Sequence, residues 1–514
     1  MANDRLWQPQ LLRGVPAWRW GMATVRRGPS GGDREVPAFL RCPLRARRSA
    51  SRAAEPRRAR FPERAALVMT AVAASLLAAC SPLPRPNASA PDIAALAETN
   101  DWPALMAARR TVAGSSVRPL LETRLAAARL DENATRRWAD NVLRTGSASE
   151  RSAALSALAG VEFARGGYAR AAATADRWIA SLEDAGASDG LVGARQLRST
   201  ALLLASAPRQ RLDAAKDGAA PLWRDKVGLV RAAAQIGDAR IEAVLDTGAN
   251  LSVIRRSLAK RLGMRFIAGT AAVGSSTVES VSIEVAVAER MAFAGATLHD
   301  VAFIVLDDDA LSFPVPGGYD IDAIIGFPVF LALERIAFRP DRFEWGTSVP
   351  ASGSIPLFAN GSDLYIETLV DGRQVALHLD TGAARTELTA WFARRFPAYR
   401  ANAFAERSVS GAGGTAVGTV AKVPALEVRI GDWAACARDV DLALGDPTGI
   451  ADHHLGRLGQ DIIGQAGWFR LDLGRMRADI GGDRDDATRI ARGGCRTAAP
   501  DGSKDPSGSP MPER

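Results

Sequence analysis

Residues 242–254 read EAVLDTGANLSVI, and residues 376–388 read ALHLDTGAARTEL. Each stretch runs an apolar segment into Asp-Thr-Gly-Ala and meets a hydroxyl residue shortly afterwards. Upstream, each is preceded by alternating apolar residues broken by a tight-turn pair, Gly237-Asp238 in the first copy and Asp371-Gly372 in the second, which reads as a β-hairpin. Gly237 and Asp371, Asp246 and Asp380, and Ser252 and Thr386 are all 134 residues apart, so the copies align without a gap. A repeat of this length predicts two units of the same build. Farther on, each half offers two isoleucines and a glycine, Ile324-Ile325-Gly326 and Ile462-Ile463-Gly464. These lie 138 residues apart, which calls for four residues gained between the motifs.

A strand that ends in Asp-Thr-Gly places a carboxylate on a tight loop, and the glycine allows a partner to come close. Two such loops related by a pseudo-twofold axis would bring their carboxylates side by side. Two buried like charges in contact cannot both ionise, so the pair shares a proton. One member then acts as general base on a water while the other hydrogen-bonds the substrate carbonyl.

On these motifs the sequence resembles the aspartic proteases, as a single chain holding two retropepsin-like domains, the arrangement also seen in two-lobed pepsins, over about residues 222–482. The resemblance implies two all-β lobes forming a bilobal acid-protease barrel fold behind a helical region, and an aspartic endopeptidase acting on a peptide or protein without a cofactor. It makes Asp246 and Asp380 the catalytic pair. Thr247 and Thr381 would cross-bond the two loops, Gly248 and Gly382 would permit their approach, and Ser252 and Thr386 are the hydroxyls that follow. Gly326 and Gly464 would each pack behind their own loop. Ala249 and Ala383 stand where pepsin-like relatives commonly have Ser or Thr, as in retropepsins. The sequence departs from the pepsin pattern in the flaps, where AAVGSSTVESV (271–281) and SVSGAGGTAVGTV (408–420) lack the aromatic residue.

The formal charge of +8 comes from the leader. Residues 1–79 hold 15 Arg, no Lys and 5 acidic residues, leaving the remainder at −2, with no clustered basic face for nucleic acid. Residues 1–59 are Arg-, Pro- and Trp-rich without periodicity, as translated GC-rich upstream DNA would be, and initiation near Ala65 is expected. The stretch RAALVMTAVAASLLAAC (64–80) has the charged start, short apolar run and small-residue end of a signal peptide. Leu77-Ala78-Ala79-Cys80 resembles the bacterial lipobox, which implies lipidation at Cys80. Ser81 then implies an outer-membrane lipoprotein facing the periplasm or cell surface. Cys436 and Cys495 are the cysteines left for one disulfide in an oxidising compartment.

Residues 80–91 read as a lipid-anchor tether, and 92–214 as helical, with apolar residues at three- and four-residue spacing. Within the helical stretch Leu158, Phe163, Gly166, Tyr168, Ala171 and Ala175 resemble one tetratricopeptide-type hairpin, a surface that suits a protein partner. AAKDGAAP (214–221) reads as a loop, followed by retropepsin-like units at 222–347 and 352–482 and a disordered tail at 483–514. His378, two residues before Asp380, aligns with Val244 and reads as a strand residue. His299 and His453-His454 lack ligand partners at metal spacing, so no metal is expected. A serine or cysteine hydrolase is disfavoured by the lack of a Gly-x-Ser-x-Gly elbow. An aspartyl phosphatase would want its Asp in an α/β frame. The competing reading is a catalytically silent protease-like lipoprotein that acts as a helical-repeat binding module.

Overall fold

The structure, a computed structural model, describes residues 93–482 and Cys495, apart from 113, 189, 214–215, 275–280, 314–316, 352, 402–403, 412–413 and 445–453, with 94, 95, 98, 401, 408–411 and 414–417 described in backbone only. The leader, the lipobox Cys80, the tether, His453 and the tail other than Cys495 lie outside the described residues.

Seven helices come first among the described residues: α1 (Ile93–Glu98), α2 (Trp102–Thr111), α3 (Arg118–Ala127), α4 (Glu132–Thr145), α5 (Ala148–Ala164), α6 (Tyr168–Asp184) and α7 (Leu191–Ala205). Local sequence sets their starts. The Asp101 and Asp131 side chains accept from the third following backbone N–H, Pro103 occupies the first turn of α2, and Ser147 with Glu150 forms a reciprocal capping box. The chain reverses between α5 and α6 through Gly166 at φ +72°, a conformation open to glycine. Phe163 and Tyr168 meet edge to face across that turn at 5.2 Å, while Leu158, Ala171 and Ala175 are buried.

After the helices the chain builds two six-stranded rings with one pairing plan. The first uses β1 (Val230–Ile236), β2 (Ala239–Leu245), β3 (Ser252–Arg255), β4 (Val281–Phe293), β5 (Ala296–Leu306) and β6 (Ala323–Ile325). The second uses β7 (Asp363–Val370), β8 (Arg373–Leu379), β9 (Glu387–Leu388), β10 (Gly414–Ile430), β11 (Trp433–Ala443) and β12 (Gly456–Leu458). In the first, β1 pairs β2, β2 pairs β6 in parallel, β6 pairs β3, β3 pairs β5 in parallel, β5 pairs β4, and β4 returns to β1. The second repeats every step and every orientation: β7–β8, β8–β12, β12–β9, β9–β11, β11–β10 and β10–β7. Closing a sheet on itself removes its edges, so both rings are barrels.

A further run of six strands links the barrels, in the order Ile355–Asn360, Arg477–Gly481, Trp468–Asp472, Arg335–Phe338, Arg342–Gly346, Asp217–Pro221. Its middle pair crosses between the halves, with Arg335 opposite Asp472 and Phe338 opposite Phe469. Part of AAKDGAAP is therefore not loop. Asp217–Pro221 is the outer strand, ending on a proline that an edge tolerates. Gly218 is required there, because a Cβ would strike the Ala294 carbonyl, which already accepts from Trp345 Nε1 at 2.8 Å.

The helices pack on both barrels. Trp102, fully buried, stacks on Phe358 at 5.5 Å and 6°, Asn100 Nδ2 donates to the Tyr365 hydroxyl at 3.2 Å, and the Ala359 N–H donates to the Ala128 carbonyl. Truncating a buried aromatic of this kind costs about 3–5 kcal/mol. At the other end, Leu203 and Leu204 of α7 join a core with Ile267 and Ala271 of the strand Arg265–Val273. A disulfide joins Cys436 on β11 to Cys495, with Cα atoms 5.7 Å apart.

Candidate active site

Asp246 and Asp380 leave the ends of β2 and β8, and each backbone N–H is tied to its own barrel: Asp246 to the Ile325 carbonyl at 3.0 Å and Asp380 to that of Leu458 at 3.2 Å. The loops then turn back under their carboxylates. Asp246 Oδ1 accepts from the Gly248 and Ala249 N–H groups at 2.8 and 3.1 Å, and Asp380 Oδ1 from Gly382 at 2.9 Å.

Below them two buried threonines cross. The Thr247 N–H donates to Thr381 Oγ1 at 2.9 Å and the Thr381 N–H to Thr247 Oγ1 at 3.1 Å. Thr247 Oγ1 donates to the Leu379 carbonyl at 2.9 Å and Thr381 Oγ1 to that of Leu245 at 2.8 Å. Four bonds thus join the two barrels at one point, and the two carboxyl groups are neighbours above it, close enough for Asp380 to act directly on Asp246. A Cβ on Gly248 would lie 2.7 Å from Asp380 Cγ, and one on Gly382 would strike Asp246. Each loop needs glycine because the other loop's carboxylate occupies the space. Burial, then the adjacent Asp380, push the Asp246 carboxyl well above the usual carboxylate range, against the Gly248 N–H and Arg457, which favour its anion.

Behind the loops, Ser252 Oγ accepts from the Gly326 N–H at 3.1 Å, and the Phe327 N–H donates to the Ala249 carbonyl. In the second barrel Thr386 Oγ1 accepts from the Gly459 N–H at 3.1 Å, and Gln460 N–H donates to the Ala383 carbonyl. Gly459, not Gly464, is therefore the counterpart of Gly326. Ile462 and Ile463 lie on the short helix Gln460–Ile463, which Gly464 ends. A Cβ at Gly459 would meet the Arg385 and Thr386 backbone at 2.5–2.9 Å, as one at Gly326 would meet Leu251 and Ala249. The true segment, Arg457-Leu458-Gly459, lies 133 residues after its partner, so one residue was lost rather than four gained.

The two barrels differ at this station. Ile324 sits opposite Val244 on β2 and Val253 on β3, whereas Arg457, at the same station, sits opposite His378 on β8 and Glu387 on β9. All six residues line one cavity of about 790 Å³ that contains both aspartates. Leu229, Phe313, Tyr319 and Ile321 extend its apolar side, and Phe163, Trp178, Gln196, Leu197 and Thr200 from α5, α6 and α7 also face it. His378 is a strand residue, on β8 (Arg373–Leu379). Its ring is buried, neither nitrogen has a hydrogen-bond partner, Asp363 Oδ1 is 3.8 Å away, and burial with Arg457 pushes it down to about 3. Sequence reading had one signal for this trio: polar residues at positions where the aligned copy is apolar. Of the flaps, Gly274 and the backbone of 408–411 and 414–417 are described, and 275–280 and 412–413 are not. Among the described residues no group of three or more His, Cys, Asp or Glu side chains is placed to hold a metal.

The model of the family described as aspartyl protease matches residues 232–329, a stretch within and just past the first barrel that includes the Asp246 loop and Gly326. No curated protein matches the chain at a significant level.

Proposed function

We propose that the protein is an aspartic endopeptidase whose two barrels are retropepsin-like lobes of one bilobal enzyme, with Asp246 and Asp380 as the catalytic dyad. The observation that carries the reading is the reciprocal Thr247–Thr381 bonding, which fixes two carboxyl groups in contact on the floor of a peptide-sized cavity. The family match to the first barrel supports the same chemistry.

In the singly protonated dyad, the ionised carboxylate removes a proton from water as its oxygen adds to the peptide carbonyl carbon. The protonated partner gives its proton to the carbonyl oxygen, leaving a neutral diol. In collapse, the newly ionised partner takes a diol proton as the carbonyl re-forms, and the other carboxyl protonates the departing nitrogen as the C–N bond breaks. Both aspartates finish as they began. The apolar wall of Val244, Val253, Ile324 and Phe313 suits an apolar substrate side chain on the first-lobe side.

Lipidation at Cys80, with an outer-membrane position facing the periplasm or cell surface, belongs to the same proposal. So does a role for the helical region in presenting protein substrates or partners to the cleft, since three of its helices face the cavity. The test is peptide cleavage by the chain from residue 81 onward, with and without a statine-type inhibitor. Cleavage blocked by the inhibitor supports the reading, and inhibitor-insensitive or absent cleavage refutes it in favour of a silent binding module.

A further inference from the structure

The two aspartates occupy equivalent stations in equivalent barrels, yet Asp380 has a withdrawn cation in contact with it. The Arg457 guanidinium reaches Asp380 Oδ2 at 3.2 Å and Glu387 Oε1 at 3.3 Å, with only 15% of its side chain exposed. The residue in the same register of the first barrel, Ile324, offers Asp246 no charge. A cation this withdrawn from water needs carboxylates in contact with it, and Asp380 and Glu387 meet that need. The other ionisable groups facing the site do not balance the asymmetry. His378 and His454 are held neutral by burial, helped in both by Arg457, Asp363 is pushed up to about 6 chiefly by burial, and Arg407 is tied to Asp441. Arg385 lines the same cavity from the second loop.

We propose that Arg457 makes the dyad directional: it holds Asp380 as the carboxylate that takes the proton from water, and leaves Asp246 as the carboxyl that donates to the substrate carbonyl. This rests on the protease reading above. Arg457 is a positioning residue, since it acts through Asp380. The atom balance is that of the hydrolysis already described, with the base assigned to Asp380 in the first step and the returning proton to Asp246 in the second.

An opposite charge at this range lowers a carboxyl titration by about 1–3 units. Loss of Arg457 takes away the cation in contact with the dyad and should therefore raise the acidic limb of the pH–rate profile by about 1–2 pH units in Arg457→Leu. Arg457→Lys should keep the limb within about half a unit of wild type, because the charge remains. Binding of a statine-type inhibitor, followed by calorimetry, gives a second readout. Asp246→Asn still offers a donor beside the Asp380 carboxylate and should retain most inhibitor affinity. Asp380→Asn removes the carboxylate that this assignment keeps ionised in the dyad and should lose at least about tenfold more. A wild type that neither cleaves peptide nor binds the inhibitor overturns the protease reading and this inference with it. A wild type that cleaves, with a profile that Arg457→Leu leaves in place or that Lys shifts as far as Leu, overturns this inference alone. Should Arg457→Leu not fold, equal loss of inhibitor affinity in the two asparagine variants overturns it.

Discussion

Replacing Thr381 by valine preserves its shape and deletes a hydroxyl that serves both barrels. That hydroxyl accepts from the Thr247 N–H at 2.9 Å and donates to the Leu245 carbonyl at 2.8 Å, and both threonines are at most 1% exposed. The Thr247 N–H, left buried without its acceptor, costs about 1–3 kcal/mol, and the lost bond to Leu245 about 0.5–1.5 kcal/mol. Thr381→Val should thus destabilise by about 2–4 kcal/mol. Thr247→Val deletes the other two bonds and should match it. Because the two threonines bond each other in one network, their losses do not simply add, and the double variant should lose at least as much as either single one, a large part of the ~5–15 kcal/mol by which native proteins are stable. Urea unfolding followed by tryptophan fluorescence measures the loss, and peptide cleavage should fall alongside it, since the bonds fix the carboxyl groups above them. A single valine variant that unfolds within about 0.5 kcal/mol of wild type would show that the cross-bonds hold nothing, and the reasoning fails.

Asp246→Asn and Asp380→Asn should each abolish cleavage almost completely, with the double variant little worse, because the pair acts as a unit; near-normal turnover in Asp380→Asn would refute an intramolecular dyad. Ala249→Ser with Ala383→Ser adds hydroxyl donors that favour the ionised form, so the pH–rate profile should move acidward by about half a unit to one unit, and an unmoved profile counts against it. Gly459→Ala should be destabilising by well over 1 kcal/mol, since its Cβ would meet backbone that cannot rotate away; a neutral effect on thermal unfolding would restore Gly464 as the packing glycine. Cys80→Ser should block incorporation of labelled fatty acid, and a wild type that incorporates none refutes the anchor.

The sequence made the loops legible because their requirements are local. Asp-Thr-Gly, the preceding turn and the following hydroxyl all lie within one hairpin and its exit, so the repeat carried them without a gap. Gly459 was hidden because its role is set by a distant hydroxyl, Thr386 Oγ1, while the letters Ile-Ile-Gly recurred by coincidence on a helix a few residues later. That coincidence also hid Arg457, since the misalignment set Ile324 against Ile462. The strand Asp217–Pro221 escaped notice because Asp-Gly-Ala-Ala-Pro has turn composition, and only pairing with Arg342–Gly346 makes it extended.

The crossed pair in the middle of the linking sheet has a consequence in time. Arg335–Phe338 leaves the ribosome with one neighbour available, Arg342–Gly346, while its other neighbour, Trp468–Asp472, is synthesised about 130 residues later. At roughly 5–20 residues per second the open side waits about 6–26 seconds. The waiting strand is Arg-Ile-Ala-Phe, three of its four residues apolar and fully paired only when the chain is nearly finished. An unpaired apolar edge is a template for any passing strand. During synthesis the linking sheet therefore carries an open apolar edge until the chain's own second half arrives to cover it.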